Sequence, residues 1–502
     1  MRIHVTKPLF PWDCLEDSPS LKTLRELLRA IPDGRLLDGL RQWRGKGRTD
    51  YSVSALWGVV VLTIALRHTS IANCLAELER NEGLRQVIGI ESEAQVPKAW
   101  NMSRFLKVLG QEPHRSEMLR AYNVMAQRLG LAIEDLGKNL AGDSTTLNAR
   151  RSEAVKAQVE AAKAEAAKTE AAKAEAAKAE AQKKEQAVVT AGTEPTEGKA
   201  SSKSPEKPVV IQEDGLPIPM GGKKEYRDDA GKVTKVLEWH GYKAHLLVDV
   251  KHEVVLAYEV TAANVSDNEM IEPLVKQAKA NLPKDRIKTL AYDKAADDSM
   301  VHELLKDEEI KPVIQIRSLW RNQTEQLVPG QEHRGNIVHD EAGTVYCVNT
   351  VSQPPIKHQM SYIGNEPDRG TIKYRCPAMH EGWTCPMSAT CNAGKLYGLT
   401  VRVKQETDLR RFPLIPRATK KFETLYNGRT AVERVNARLK IFWGADDGNI
   451  TGAGRFHAYF SAVMLVHGAF ATVLAKAPRF GGVLGQTRIS TVAKALEEQI
   501  QT

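Results

Sequence analysis

The sequence predicts a mixed α/β fold whose core is built from two separated segments of the chain. Between residues 137 and 317 the pattern runs strand, hairpin, helix, strand, helix, strand, an order typical of a mixed sheet with helices packed on it. A long cysteine-bearing stretch of short strand candidates interrupts that order, and a charged helix followed by an apolar helix resumes it. The fold class is therefore α/β, with a helical region in front of the core and a mainly β insertion within it.

Residues 1–136 are predicted to form a helical N-terminal region. Ser20 is a candidate N-cap, and apolar residues recur three and four positions apart between residues 20 and 140. Between two of these helices, the stretch RQWRGKGRTD places four cations around Trp43. These cations either grip phosphates or form a solvated basic loop.

Residues 137–317 are predicted to form the first part of the core. GKNLAGDSTTL is a strand candidate that carries Asp143, and IKTLAYDKA is a buried strand candidate that ends at Asp293. Between them, two β-branched runs broken near Lys251 and His252 predict a hairpin. Because α/β sheets build their sites at the carboxyl ends of strands, the two aspartates are candidate site residues.

Two segments of unusual composition interrupt this part of the core. Residues 152–187 consist almost wholly of Ala, Lys and Glu in a five-residue repeat that leaves no apolar seam. That pattern predicts a solvated helical rod acting as a semi-rigid spacer. Residues 188–223, rich in Thr, Gly, Ser, Pro and Lys, predict a flexible link.

An inserted, mainly β subdomain is predicted to span residues 318–412. Its strand candidates are TVYCVNT, TIKYRCP and LYGLTVRVK. It also carries a cysteine cluster that either binds zinc or remains a set of reduced, partly buried thiols, because the spacing differs from the two-residue knuckle of ordinary zinc fingers. The cluster consists of Cys376, Cys385 and Cys391, with Cys347 and His380 as alternative fourth ligands.

Residues 413–502 are predicted to form the second part of the core. Its helix candidate YNGRTAVERVNARLKIFW, at residues 426–443, has two faces when residues are placed about 100° apart. The polar face, an arc of about 60°, contains Tyr426, Arg429, Glu433 and Lys440. The apolar face contains Val432, Val435, Leu439 and Phe442. One side is therefore expected to be buried, and the other to present an aromatic ring, two cations and a carboxylate.

Glu433 adds a third carboxylate to Asp143 and Asp293. A helix packed on the sheet would bring Glu433 beside the aspartates, where the three charges repel one another unless cations neutralise them. Oxygen donors favour Mg²⁺ or Mn²⁺ over zinc. Two such ions about 4 Å apart suit phosphodiester cleavage. The sequence thus predicts a site for two divalent ions held by these three carboxylates.

The same helix supplies candidate DNA contacts. Arg429 and Lys440 are placed to hold flanking phosphates, the first through its fork and the second as a point charge. Tyr426 is a candidate for stacking on a displaced base. Arg434 and Arg438, on the same stretch, complete the set of cations expected to bind DNA.

The helix carries the series Y-x-x-R-x-x-x-E-x-x-x-x-x-x-K, which resembles the signature of bacterial insertion-sequence transposases of the DDE class. The residues that form this series are Tyr426, Arg429, Glu433 and Lys440.

Other stretches resemble the same family. Asp143 in AGDST and Asp293 in LAYDKA are similar to its two catalytic aspartates. GYKAHLLVD and TAANVSDN resemble its hairpin, and by this resemblance Tyr242, Lys243 and His245 are expected near the site as DNA-binding residues.

The resemblance implies an RNase H-like core, a DNA-binding N-terminal region and a β insertion ahead of the glutamate helix. It implies that the protein cuts double-stranded DNA at the terminal inverted repeats of a transposon. The exposed 3′ hydroxyl is then joined to target DNA at a centre holding two Mg²⁺ or Mn²⁺ ions, and a homodimer holds both DNA ends. Two alternatives remain open: a metal-dependent nuclease that only hydrolyses DNA, and a catalytically silent, domesticated DNA-binding protein.

Composition and charge indicate which partners and which cellular location to expect. Lys and Arg outnumber Asp and Glu by 71 to 62, giving a net charge of +9, which fits a polyanionic partner. Scattered cysteines and an N-terminus without a secretory pattern favour a cytoplasmic, nucleoid-associated protein. The apolar run at 55–66 is shorter than the roughly 20 residues that span a bilayer, and the sequence has no Walker-type loop. We therefore expect neither a membrane partner nor ATP dependence.

Overall fold

The computed structural model describes residues 19–46, 50–150, 215–227, 233–320, 324–447, 450–477 and 480–497. The Ala-Lys-Glu segment at 152–187 and residues 188–214 of the expected link lie outside the described residues.

The N-terminal region is helical, as its apolar periodicity predicts. Its helices are α1 (Pro19–Ala30), α2 (Gly34–Arg44), α3 (Val53–Ala65), α4 (Ile71–Arg80), α5 (Glu82–Val87), α6 (Ala99–Leu109) and α7 (His114–Ala132). Ser20 lies inside α1, so its prediction as an N-cap is wrong. Ser52 caps α3 by accepting a hydrogen bond from the Ala55 amide at 3.0 Å. Because α3 is apolar nearly all round, it is buried along its length.

A mixed sheet forms the core. Its strands are β1 (Asn139–Asn148), β2 (Met220–Arg227), β3 (Val233–Asp249), β4 (Val255–Ala262), β5 (Thr289–Tyr292) and β6 (Lys311–Ile314). The second half of β3 pairs antiparallel with both β1 and β4, while β5 lies parallel to β1 and β6 lies parallel to β5. The order across the core is therefore β4-β3-β1-β5-β6. The turn between β3 and β4 contains Lys251 and His252, the position predicted for the turn of the hairpin.

Strand β2 corrects the prediction of a flexible link reaching residue 223. It pairs antiparallel with the first half of β3. Its sequence, MGGKKEYR, is poor in β-branched residues, so propensity alone does not reveal a strand. Pairing with the long β3 decides its conformation, and the ring of Trp239 lies so close to Gly222 that a Cβ there would come within 2.3 Å of Trp239 Cζ2.

Two helices connect the strands of this sheet. α8 (Asp267–Asn281) joins β4 to β5, and α9 (Ser299–Asp307) joins β5 to β6. Both helices occur where the sequence order of strands and helices predicted them. The parallel pair β5 and β6 is thus linked directly by a helix, as a parallel connection requires.

The inserted segment forms two small sheets around a second hydrophobic core. One sheet has the order β10-β9-β8-β7 and the other the order β11-β12-β13. The strands are β7 (Gln326–Leu327), β8 (Ile337–His339), β9 (Val345–Asn349), β10 (Ile356–Gln359), β11 (Ser361–Glu366), β12 (Thr371–Arg375) and β13 (Thr400–Lys404). Two short helices, α10 (Pro377–Glu381) and α11 (Ser388–Cys391), lie between β12 and β13. The second core runs from Val328 to Phe412, so this segment packs largely on itself.

The final segment returns to the main core. Its helices are α12 (Lys420–Asn427), α13 (Thr430–Ala437), α14 (Ala453–Ala475) and α15 (Ile489–Glu497), with a π-helical turn at Arg438–Phe442 directly after α13. α14 is long and apolar enough to cross a membrane by length and composition, but most of it is buried inside the protein. It packs on α6 and α7, and so joins the N-terminal helices to the core.

The predicted single helix at 426–443 is interrupted at Gly428. A Cβ at Gly428 would lie 2.7 Å from Val250 Cγ1, so the glycine lets the chain approach the β3–β4 turn closely. Helix α12 ends at Asn427 and α13 begins at Thr430. The two short helices therefore pack against the sheet as separate pieces.

The buried face of this segment is mostly as predicted. Val432, Val435 and Leu439 are buried, whereas Phe442 is half-buried and Trp443 enters the core in its place. The π-helical turn explains the change, because its wider i→i+5 spacing shifts the residues after Arg438 around the helix axis.

Candidate active site

Asp143 and Asp293 occupy equivalent positions just beyond the paired residues of neighbouring parallel strands. Ala141 of β1 pairs with Ala291 of β5, and each aspartate follows its alanine by two residues. Adjacent strands lie about 4.8 Å apart, and residues at the same register of a ladder face the same side. Asp293 follows the end of β5 as predicted, but β1 continues to Asn148, so Asp143 lies within its strand at the point where pairing with β5 stops.

The pair of residues just before the aspartates is packed very closely. A Cβ at Gly142 would lie 1.9 Å from Tyr292 Cε2, so the ring needs a glycine at this position. Tyr292 is buried, and burial raises the pKa of its phenol well above the usual value, with the negative charges of Asp267, Asp143 and Asp293 adding to the rise. The charges of three carboxylates therefore add to the raised pKa of one buried hydroxyl group.

Glu433 lies on α13, which packs on β1 and β3. Its side chain is 51% exposed and forms an ion pair with Arg429, whose Nη2 lies 2.7 Å from Glu433 Oε1. Partial burial opposes the charged form of Arg429, but the negative charges of Glu433 and Asp143 raise its pKa above the usual value. The helix thus lies within electrostatic reach of the β1 aspartate.

Tyr426, on α12, lies within electrostatic reach of both Glu433 and Asp293. Its ring stacks on Phe422 with centroids 5.8 Å apart. Burial raises the pKa of the Tyr426 phenol; Arg429 opposes the rise, and the charges of Asp293 and Glu433 add to it. The pKa values of Arg429 and Tyr426 together therefore respond to the charges of all three predicted catalytic carboxylates.

The three carboxylates do not share a cation-binding geometry in this arrangement. Within the described ranges, no group of three or more His, Cys, Asp or Glu side chains stands close enough to hold a metal ion. Glu433 is engaged with Arg429, and Asp293 accepts a hydrogen bond from the Ala295 amide at 2.9 Å. The predicted shared metal centre thus requires these side chains to change partners.

The comparison with known families decides the identity. The transposase DDE domain family matches residues 205–467, more than half of the chain. The chain belongs to this family. No curated protein matches it. The matched range contains Asp293 and Glu433 but begins after Asp143, so Asp143 is linked to the site by its register beside Asp293.

Lys440 and Lys243, two cations expected to bind DNA, both have partners within this DDE-domain protein. Lys440 Nζ donates to Thr146 Oγ1 of β1 at 3.1 Å and lies 3.4 Å from Asp446 Oδ2. Lys243 Nζ lies 3.0 Å from Asp267 Oδ1. Both lysines therefore adjoin β1, the strand that carries Asp143, and their DNA contacts stay predictions.

Arg434 and Arg438 hold a buried acid. Arg434 Nε donates to Glu253 Oε1 at 2.6 Å, and Arg438 pairs with the other oxygen of the same carboxylate. Glu253 is buried in the β3–β4 turn, where an unpaired charge would be costly. Both arginines therefore have a structural ion-pair role, and their expected DNA contacts stay predictions.

Tyr242 and His245 are core residues, which corrects their expected contact with DNA. Tyr242 is 1% exposed and stacks on Phe456 with ring centroids 4.3 Å apart. His245 is 0% exposed and its Nε2 lies 2.9 Å from Thr261 Oγ1. Burial lowers the pKa of His245 to about 4, with Asp267 opposing the fall, so the ring is neutral at physiological pH.

Sequence reasoning missed Asp267 as a site residue. Its carboxylate accepts a hydrogen bond from Ser144 Oγ at 2.8 Å, one residue after Asp143, and pairs with Lys243. Asp267 begins α8, after a connecting loop of four residues that follows the end of β4 at Ala262. The available signal was the polar stretch TAANVSDN between a buried strand and an amphipathic helix, a common place for site residues.

Proposed function

We propose that this member of the transposase DDE domain family cuts DNA at transposon ends and joins the resulting 3′ hydroxyls to target DNA. Asp143, Asp293 and Glu433 are its proposed catalytic carboxylates. The observation that supports the proposal is the register of β1 and β5, in which Asp143 and Asp293 each follow the last paired alanine by two residues, together with the packing of the Glu433 helix on β1. A transposase-type function follows from family membership.

The donor set fits two Mg²⁺ or Mn²⁺ ions. All three side chains offer carboxylate oxygens, the ligands that these ions prefer. Bound there, the ions would activate the attacking oxygen and stabilise the leaving oxygen of a phosphodiester. Glu433 would exchange its ion pair with Arg429 for this role, and its exposed position leaves it free to do so.

The neighbouring side chains have proposed roles in holding DNA. Once released from Glu433, Arg429 presents its guanidinium fork to a phosphate beside the scissile bond. Lys440 supplies a second positive charge next to β1. Tyr426, with one face stacked on Phe422, offers its ring to an unstacked base.

We also propose that the core is RNase H-like and that the N-terminal helices bind the transposon ends. The proposed core rests on the sheet order β4-β3-β1-β5-β6, in which three antiparallel strands are followed by two parallel ones. On the N-terminal region, Trp43 and Trp100 are exposed and line one cleft with Arg44 and Arg104. Exposed rings beside cations suit contact with nucleic acid. A homodimer at the nucleoid would hold both ends.

The experiment supplies a pre-cut DNA end carrying the inverted repeat that flanks the reading frame. It is incubated with the full chain, Mg²⁺ and supercoiled plasmid, and the products are separated on a gel. Plasmid joined through the 3′ hydroxyl is expected, and the same end with a 3′-dideoxy terminus should give none. Plasmid cleavage without joining would indicate a nuclease, and DNA binding without cutting or joining would indicate a silent DNA-binding protein.

Replacing Arg429 or Lys440 with alanine should weaken DNA binding and reduce its salt dependence. Each phosphate contact releases about one counterion, so the slope of log K against log salt should fall in magnitude by about one. Fluorescence anisotropy over a salt series measures this. Lys276→Ala is the matched control, because Lys276 forms an exposed i,i+4 ion pair with Glu272 on α8. An unchanged slope in the Arg429 and Lys440 variants would exclude the phosphate contacts.

A further inference from the structure

We propose that the inserted subdomain contains a structural Zn²⁺ site formed by four cysteines. The proposed ligands are Cys347, Cys376, Cys385 and Cys391. This inference is independent of the proposed catalytic function, because none of the catalytic carboxylates belongs to the insertion.

The four cysteines come from separate places in the fold and meet at one cavity. Cys347 lies on β9, Cys376 follows β12, Cys385 lies between α10 and α11, and Cys391 ends α11. None of them forms a disulfide. The cavity has a volume of about 20 Å³, enough for a single water-sized sphere. A cavity of this size suits a single ion.

Two buried or partly buried amides already face the sulfur atoms. Asn392 Nδ2 lies 3.7 Å from Cys376 Sγ, and Asn336 Nδ2 lies 3.9 Å from Cys391 Sγ. N–H groups directed at sulfur stabilise the thiolate form, and such donors commonly surround metal-bound cysteines. Asn392 is held in place because its Oδ1 accepts a hydrogen bond from the Leu399 amide at 2.6 Å.

The geometry points to Cys347 as the fourth ligand. His380, the sequence alternative, does not line the cavity and instead lies 3.4 Å from Arg375 Nη1 through its Nδ1. His358 does line the cavity as the cross-strand partner of Cys347, but its ring packs on Trp383 with centroids 4.7 Å apart. Cys347 is therefore the better fourth donor.

The local fold gives such an ion a structural purpose. Residues 376–399 contain only the short helices α10 and α11 and no strand. So short a helix is marginal by itself, and a metal held by Cys347 and by the three cysteines of the segment would fix the segment to β9. As the thiols stand they do not form a metal-holding group, so binding requires them to rotate into the cavity. Four sulfur donors select zinc over Mg²⁺ or Mn²⁺.

The first test measures metal in the full chain purified without chelators. Mass spectrometry of the metal content should give one zinc per chain. Replacing it with Co²⁺ should produce the thiolate-to-cobalt charge-transfer absorption of a tetrahedral sulfur site. Protein that retains no zinc after incubation with Zn²⁺ and dialysis, and shows no such absorption with Co²⁺, would overturn the proposal.

The second test assigns the ligands. Serine at any of the four cysteines should reduce bound zinc from one per chain to well below one. Cys74→Ser is the matched control, because Cys74 is a buried thiol outside the insertion. His358→Asn and His380→Asn should keep their zinc. Zinc retained by Cys347→Ser would overturn the four-cysteine assignment, and if cysteine variants fail to fold, the cobalt spectrum of the unaltered chain still decides.

Discussion

Glu433→Gln, Asp143→Asn and Asp293→Asn are each expected to lower DNA cutting and joining by about 1,000-fold or more, which corresponds to roughly 4 kcal/mol of transition-state stabilisation. Each change keeps the size of the side chain but removes a negative charge that the proposed ions require. DNA binding should remain close to that of the unaltered chain. The measurement is the initial rate of cleavage and joining on end-repeat DNA, with binding followed separately by gel shift.

A matched control separates loss of the charge at the site from loss of any surface charge. Glu272→Gln removes an exposed glutamate that, like Glu433, forms an i,i+4 ion pair on a helix. It should cut and join at the unaltered rate. Cutting at full rate by any one of the three site variants would remove that residue from the catalytic set, and the loss of Asp143 from the set would also contradict the role inferred from strand register.

Asp297→Ala is expected to lower the free energy of unfolding by about 3–5 kcal/mol, the cost of leaving buried cations without their partner. The Asp297 side chain is fully buried. It accepts from Arg410 Nε and from the Arg317 amide, each at 2.7 Å, and lies 3.7 Å from Arg417 Nη2. Arg317 precedes the inserted sheets and Arg410 follows them, so one carboxylate joins the two ends of the insertion to the core.

Urea denaturation followed by circular dichroism measures this loss. Asp307→Ala, an exposed change at the end of α9, is the control and should shift stability by no more than about 0.5 kcal/mol. Equal stability of the Asp297 and Asp307 variants would show that the buried ion pairs contribute nothing net.

The stabilisation by Asp297 should depend on pH in a defined direction. Burial opposes the charged form, but the nearby His302 ring and hydrogen bonds from the Arg317 amide and Arg410 lower the pKa of Asp297 below its ordinary value of 3.8. A group whose pKa is lower in the folded state stabilises the fold above its unfolded pKa and loses this contribution as the pH falls through the folded value. The stability difference between the unaltered chain and Asp297→Asn should therefore hold down to about pH 5 and shrink below about pH 4.

Local patterns predicted most of the elements and part of the site. Alternating β-branched runs predicted the β3–β4 hairpin, and helical spacing placed Val432, Val435 and Leu439 on a buried face. Strand order also placed Asp143 and Asp293 on strands that prove to be neighbours. These predictions worked because periodicity and turn residues act over a few positions along the chain.

Contacts between distant segments decided the rest. Arg434 and Arg438 look like a basic DNA-binding surface along the helix, but Glu253, about 180 residues away, pairs with both. Lys243 and Ser144 bind Asp267, which no local pattern assigned to the site, and the cysteines of the insertion meet only after two sheets have folded. The sequence by itself determined the elements and the family resemblance, since both depend on residues that are close together along the chain. Only the tertiary structure decided which charges are free and which are paired, because a salt bridge depends on distance in space and not on distance along the chain.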